Sequence, residues 1–121
     1  MEACESGSMF ENILEDNINA YAISAANASE SSWGTYCSPD DKVDGKSINS
    51  CLGDLFSVNW MEDTDAADIA TETLQQQFVT VQKETTKSHV LQWGQTTFTN
   101  EALDQFEAGY TTTPQKKDAW A

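Results

Sequence analysis

The order of hydrophobic patterns along the chain predicts an α/β domain: strand, helix, strand, helix, helix, strand. Three stretches carry that expectation. "INAYAISAAN" alternates Ile18, Ala20 and Ala22 against Asn19, Tyr21 and Ile23, the pattern of a mostly buried strand ending at Asn27. "LGDLFSVNWMEDTD" sets Leu52, Leu55, Phe56 and Trp60 on one helical face. "SHVLQWG" reads as a short final strand ended by Gly94.

Taken in order, the first element is the least complete. "MEACESGSMF" places Cys4 just before a Ser-Gly-Ser turn, and Met9, Phe10, Ile13 and Leu14 follow at helical spacing, so a short helix is expected near that turn. Glu2 and Glu5 flank the thiol and would raise its pKa, which disfavours a nucleophile. A strand-to-helix turn acts the other way, because it exposes the thiol near the positive end of a helix. Such a turn needs a strand in front of it. The expectation is therefore that the chain begins in the middle of a domain, with N-terminal strands and helices of a parallel sheet absent. A sheet opened in this way has an unpaired edge and half a core, so marginal stability is expected.

Residues 27–51 read as one long polar loop. Cys37 and Cys51 bracket its second half, "CSPDDKVDGKSINSC". They form either a disulfide, whose closure of a loop this size adds roughly 3 kcal/mol in the chain-entropy model, or a pair of free thiols. Pairing them leaves Cys4 alone and implies a secretory or vacuolar route. After the helix that begins near Leu55, Thr64 or Asp65 is expected to cap a second one, with Ile69, Leu74, Phe78 and Val81 as its apolar stripe. Residues 95–121 are polar and threonine-rich, as in a linker or partial structure that is partly disordered.

The chain has 121 residues, 39% of them hydrophobic, the size and composition of one small domain. Its 20 acidic and 6 basic residues give a formal charge of -14, a field that repels phosphate backbones and anionic membranes; neither nucleic acid nor membrane is an expected partner. No apolar run reaches the roughly 18 residues of a membrane span, and the first residues do not read as a signal peptide. "EDTDAAD", from Glu62 to Asp68, lacks the glycine and spacing of a calcium loop and reads as a solvated helix junction, so no metal or cofactor is expected.

"EACESGSMF", "DNINAYAISAANASESSWGTYC", "CLGDLFSVNWMEDTD" and "SHVLQWG" together resemble the legumain family, the asparaginyl endopeptidases called vacuolar processing enzymes in plants. The likeness is collinear over residues 2–94 and is nearer to plant-type members. It implies an incomplete caspase-like three-layer α/β/α sandwich, with residues 1–94 as the C-terminal part of a cysteine protease domain and residues 95–121 leading toward an inhibitory C-terminal prodomain. It implies Cys4 as the catalytic nucleophile, with one oxyanion-hole donor in its own backbone N–H. The partner histidine of the family lies upstream and is followed by two glycines, in a segment these residues do not contain. The pocket arginine is missing as well. The single histidine, His89, matches a family position that is not the base, and reads as structural.

The resemblance also implies a pocket for asparagine. Its side chain offers one acceptor oxygen and an NH2 group, so carboxylates should face the NH2 and a cation the oxygen. Glu2 and Asp54 take the carboxylate role, Ser31 the pocket wall, and Ser32 and Trp33 the cleft that holds the substrate backbone. Read without the resemblance, Glu2 is a solvated strand-end charge, Asp54 a helix N-cap, and Ser31 to Trp33 turn residues. The pocket implies that a substrate aspartate is accepted only when protonated, so cleavage after Asp should need acidity. Asn27 opens a glycosylation-type triplet, but beside the cleft, a poor place for a glycan.

The expected function is thus part of an endopeptidase that cleaves peptide or protein substrates after Asn, and after Asp at acidic pH, in a vacuole or lysosome. It would act through an acyl-enzyme on Cys4, with ligation as a variant of the second step. The alternative is a non-catalytic truncated paralogue or an incomplete gene product. A lipid-anchor transamidase is disfavoured by "SSWGTYC" and "NWMEDTD".

Overall fold

A computed structural model of the chain describes residues 1–107. It is mixed α/β, with three small sheets and two helices. Strand β1 (Tyr21–Ser24) pairs antiparallel with β6 (Leu91–Gly94), setting Tyr21 opposite Gly94 and Ser24 opposite Leu91. The pairs β2 (Gly34–Thr35) with β5 (Gly53–Asp54), and β3 (Lys42–Val43) with β4 (Lys46–Ser47), are antiparallel too. The parallel sheet expected from the sequence is therefore not what these strands build. Its trace survives at the first residue: the amino group of Met1 donates to the Ile23 carbonyl (2.7 Å) and Ala25 N–H donates to the Met1 carbonyl (3.0 Å), a pattern that sets Met1 parallel to β1.

The core lies between this sheet and the helices α1 (Leu55–Ala66) and α2 (Leu74–Glu84). Phe56 of α1 and Phe78 and Val81 of α2 pack on Ala25 and Val90, with Ile23 at the margin. Alternation along β1 sends Ser24 the other way, where its hydroxyl accepts the indole N–H of Trp93 at 2.8 Å. Phe10 stacks on that indole, with ring centroids 6.3 Å apart.

Several local expectations change. The helix expected after Cys4 is a 3-10 turn, Ser6–Met9, followed by further turns, and it leaves Met9 and Ile13 exposed. A positive φ at Asn12 (57°) stops it from continuing. The long loop 27–51 is punctuated by β2, β3 and β4. Leu52 is exposed and lies outside α1, because Gly53 and Asp54 are already committed to the ladder with β2. Thr64 and Asp65 lie inside α1 and cap nothing. The second helix is capped by Thr73, whose hydroxyl accepts Gln76 N–H (3.1 Å) while the Gln76 side chain accepts Thr73 N–H (2.9 Å). Ile69 stands in the connection before that helix, its carbonyl accepting Asp104 N–H.

Residues 95–107 pack back onto this connection. Leu103 is fully buried, its N–H donates to the Glu72 carbonyl, and Ala102 bridges to Thr73. Along the side of β1 runs an open, mostly apolar groove of about 590 Å³ lined by Tyr21, Ile23, Phe56, Trp60, Phe98 and Phe106, among others. Among the described residues no helix is long and apolar enough to cross a membrane.

Candidate active site

The turn that carries Cys4 is fastened to the end of β1. Ser6, almost fully buried, accepts the Ala26 N–H on its hydroxyl at 3.1 Å, and Gly7 N–H donates to the Ala26 carbonyl at 3.0 Å. Gly7 is required by this approach: a Cβ there would stand 2.8 Å from the Asn27 carbonyl carbon and 2.9 Å from the Ala28 nitrogen, both backbone atoms with no room to yield. Glu5, directly after the cysteine, has φ 56°, a left-handed conformation that a glutamate rarely takes. The turn therefore reverses sharply after Cys4 and leaves its thiol exposed.

Ser32 is the neighbour of that thiol. The Cys4 Sγ lies 3.7 Å from the Ser32 carbonyl oxygen and 3.9 Å from its hydroxyl. The thiol pKa is lowered from its ordinary value, with the contacts to the Ser32 backbone, the Ser32 hydroxyl and the Ser31 hydroxyl as causes in that order, against a smaller opposing effect of desolvation. Of these only the two hydroxyls can donate to a thiolate; the Ser32 carbonyl can only accept the S–H. The upward push expected from Glu2 and Glu5 does not set the direction of the shift, which is downward.

The residues expected to line the cleft are drawn together by the β2–β5 ladder. Gly34 lies opposite Asp54, and the Trp33 carbonyl accepts the Leu55 N–H at 2.8 Å, so the stretch from Ser31 to Trp33 runs directly into the start of α1. Ser31 is exposed, Ser32 half-buried, and Trp33 shows 53% of its surface. Glu2 reaches the same helix end, where one carboxylate oxygen accepts the Ser57 N–H at 3.0 Å and the other is buried without a partner among the described residues. Asp54 occupies the N-cap position, yet its side chain makes no capping bond and is exposed. The cap is thus supplied from Glu2, 55 residues away in sequence. Both carboxylates stand at the N-terminus of α1, where the helix dipole favours negative charge.

Cys37 and Cys51 form a disulfide that closes the loop beside β2 and β5. Within that loop Asp41 is buried and accepts the Ser47 hydroxyl at 2.6 Å. The Tyr36 hydroxyl donates to Glu62 and ties the loop to α1. Asn27 turns its side-chain oxygen onto the Ser29 N–H at 2.9 Å. The His89 ring Nδ1 lies 2.9 Å from Glu30. Glu30 belongs to this neighbourhood although local sequence pattern marks it only weakly. Its signal was present as Asn27-x-x-Glu30, the spacing of a capping box, with no apolar run after it to draw attention. Among the described residues no cluster of metal-ligating side chains occurs.

A sequence model of the peptidase C13 family matches residues 1–109. The chain is 48% identical over 99 residues to the vacuolar-processing enzyme delta-isozyme of Arabidopsis thaliana, covering 78% of this chain and 21% of that protein. It is 44% identical over 110 residues to the vacuolar-processing enzyme of Vicia sativa, covering 88% and 22%. Legumain of Canavalia ensiformis is likewise 44% identical over 110 residues, covering 85% and 23%. The chain thus spans about a fifth of the length of the curated relatives it matches.

Proposed function

From the premise that the chain belongs to the peptidase C13 family, we propose that it is the nucleophile-bearing part of a legumain-type cysteine endopeptidase that cleaves proteins after asparagine. The observation that carries this reading is an exposed Cys4 thiol set against Ser32, with the stretch from Ser31 to Trp33 leading to a helix end that bears the carboxylates of Glu2 and Asp54. In the proposed reaction the Cys4 thiolate attacks the scissile carbonyl, the backbone N–H of Cys4 helps to hold the oxyanion, and the leaving amine departs to give an acyl-enzyme. Water then releases the acid, or a second amine releases a ligated peptide.

A general base and a pocket cation must come from elsewhere. His89 is occupied by Glu30, and every basic side chain in the sequence is a lysine. By the family resemblance, a histidine and an arginine N-terminal to this segment fill these roles. Glu2 and Asp54 would then face the substrate amide NH2, so that a substrate aspartate enters only once protonated. The finer fold that goes with this reading is the incomplete three-layer α/β/α sandwich, and the apolar groove along β1 supports it as a face that a further layer would cover. Residues 1–94 would complete the protease domain and residues 95–121 lead toward a prodomain. The names of the vacuolar relatives and the disulfide support a vacuolar setting reached by secretion.

An asparagine-directed, thiol-reactive peptide probe tests the proposal. With a full-length protein that includes this segment, the probe is expected to label Cys4, to lose labelling in Cys4→Ala, and to label the 121-residue chain far more slowly. Equal labelling of the isolated chain would refute the dependence on an outside base. Equal cleavage after Asp and Asn at neutral pH would refute the carboxylate-lined pocket.

A further inference from the structure

Glu30 joins three pieces of the molecule that are distant in sequence. One carboxylate oxygen accepts the N–H groups of Asn27 (2.9 Å) and His89 (2.7 Å), and the other meets the His89 ring nitrogen at 2.9 Å. Its backbone carbonyl accepts the Glu5 N–H at 2.7 Å, directly after the nucleophile. The Glu30 side chain is largely covered, with 23% of its surface accessible, whereas that of His89 is 77% accessible. The next two residues, Ser31 and Ser32, are those whose hydroxyls act on the Cys4 thiol.

We propose that Glu30 is a positioning residue: its carboxylate locks residues 27–30 to the segment entering β6, its carbonyl locks the turn after Cys4, and the Ser31–Ser32 wall is thereby held against the thiol. The inference rests on Cys4 being the nucleophile. The reason for a carboxylate here is the donor set, since two backbone N–H groups and a ring nitrogen converge and a single acidic side chain satisfies all three. Desolvation opposes the charged form of Glu30, but the bonds from Asn27 N–H, the His89 ring and the His89 N–H together outweigh it and hold the carboxyl below its ordinary value. His89 gains a role in the same step, orienting Glu30 through a ring that is otherwise solvent-facing. The charged groups beside the thiol in sequence, Glu2 and Glu5, are not part of this lock.

The test reads the pH profile of Cys4 alkylation by iodoacetamide in the 121-residue chain with its disulfide intact. Glu30→Ala is expected to shift the profile toward that of an unperturbed cysteine and to slow alkylation near neutral pH by about threefold or more. Glu30→Gln keeps the acceptor for the two backbone N–H groups and is expected to restore most of the wild-type rate. Should Glu30→Ala fail to fold, His89→Ala, at an exposed side chain, still serves: it is expected to give a smaller shift in the same direction. An unchanged profile in a folded Glu30→Ala, or in His89→Ala when the first variant does not fold, overturns the proposal. Probe labelling of a full-length protein separates the two readings. Loss of labelling with the Glu30 shift intact refutes the peptidase, whereas labelling with no Glu30 shift refutes only the positioning role.

Discussion

At the residue scale, Glu2 carries two demands at once. Its carboxylate caps α1 through the Ser57 N–H, and its second oxygen is buried with no partner among the described residues. Such an unpartnered buried oxygen is costly, so Glu2 carries a penalty beside its capping bond. The two demands separate under substitution. Glu2→Ala removes the cap and is expected to cost about 1 kcal/mol in urea unfolding. Glu2→Gln retains an acceptor for Ser57 and should be nearly neutral in stability, while in a full-length enzyme it should lower the preference for asparagine. A Glu2→Gln variant as destabilised as Glu2→Ala would show that the charge, not the acceptor, holds the helix end. The same residue was legible in the sequence only through its likeness to a family motif, because a capping contact across 55 positions has no local pattern.

At the scale of elements, the junction of α1 and α2 is where sequence and structure part most clearly. A cap at Thr64 or Asp65 was a reasonable choice by residue type, but α1 continues through both and the capping box forms at Thr73 and Gln76. Packing decides this: Asn59 donates to Thr85 and Gln77 to Thr64, contacts that need the full length of both helices. The junction also gathers acids. Burial, then the charge and hydrogen bond of Asp63, then the charge of Glu107, raise the pKa of Glu72 above its ordinary value. The folded chain therefore binds more protons than the unfolded one just above the ordinary glutamate range, and stability falls as pH rises through that interval. Glu72→Gln should remove this loss. Its urea midpoint is expected to exceed that of the wild type at about pH 7.5 and to converge with it near about pH 4. An equal gap at both values would rule out Glu72 as the titrating group. Glu30 has the opposite sign, since its stabilisation is present above the ordinary carboxylate range and is lost as pH falls through its lowered value.

At the scale of the whole molecule, the buried apolar core is small and one side of β1 faces an open groove. With a core this small among the described residues, covalent closure of the loop is expected to matter for stability. Reduction of Cys37–Cys51 is expected to destabilise the chain by about 3 kcal/mol in the chain-entropy model, seen as a lower urea midpoint for the Cys37→Ala, Cys51→Ala double variant. No change in midpoint would mean that the β2–β5 ladder alone fixes the loop.

The sequence by itself determined the α/β class, one strand within residues 18–27, another within residues 88–94 and the two helices; its family likeness supplied the residues expected at the candidate site. These are properties of local periodicity and of motif, and both are written in consecutive residues. The antiparallel sense of the strand pairs, the cap that Glu2 lends to α1 and the lock that Glu30 forms with His89 were decided only by the tertiary structure. The β1–β6 pairing, the cap and the lock depend on groups 55 to 73 positions apart meeting within hydrogen-bond distance, and no periodicity along a chain encodes which distant donor an acceptor will find.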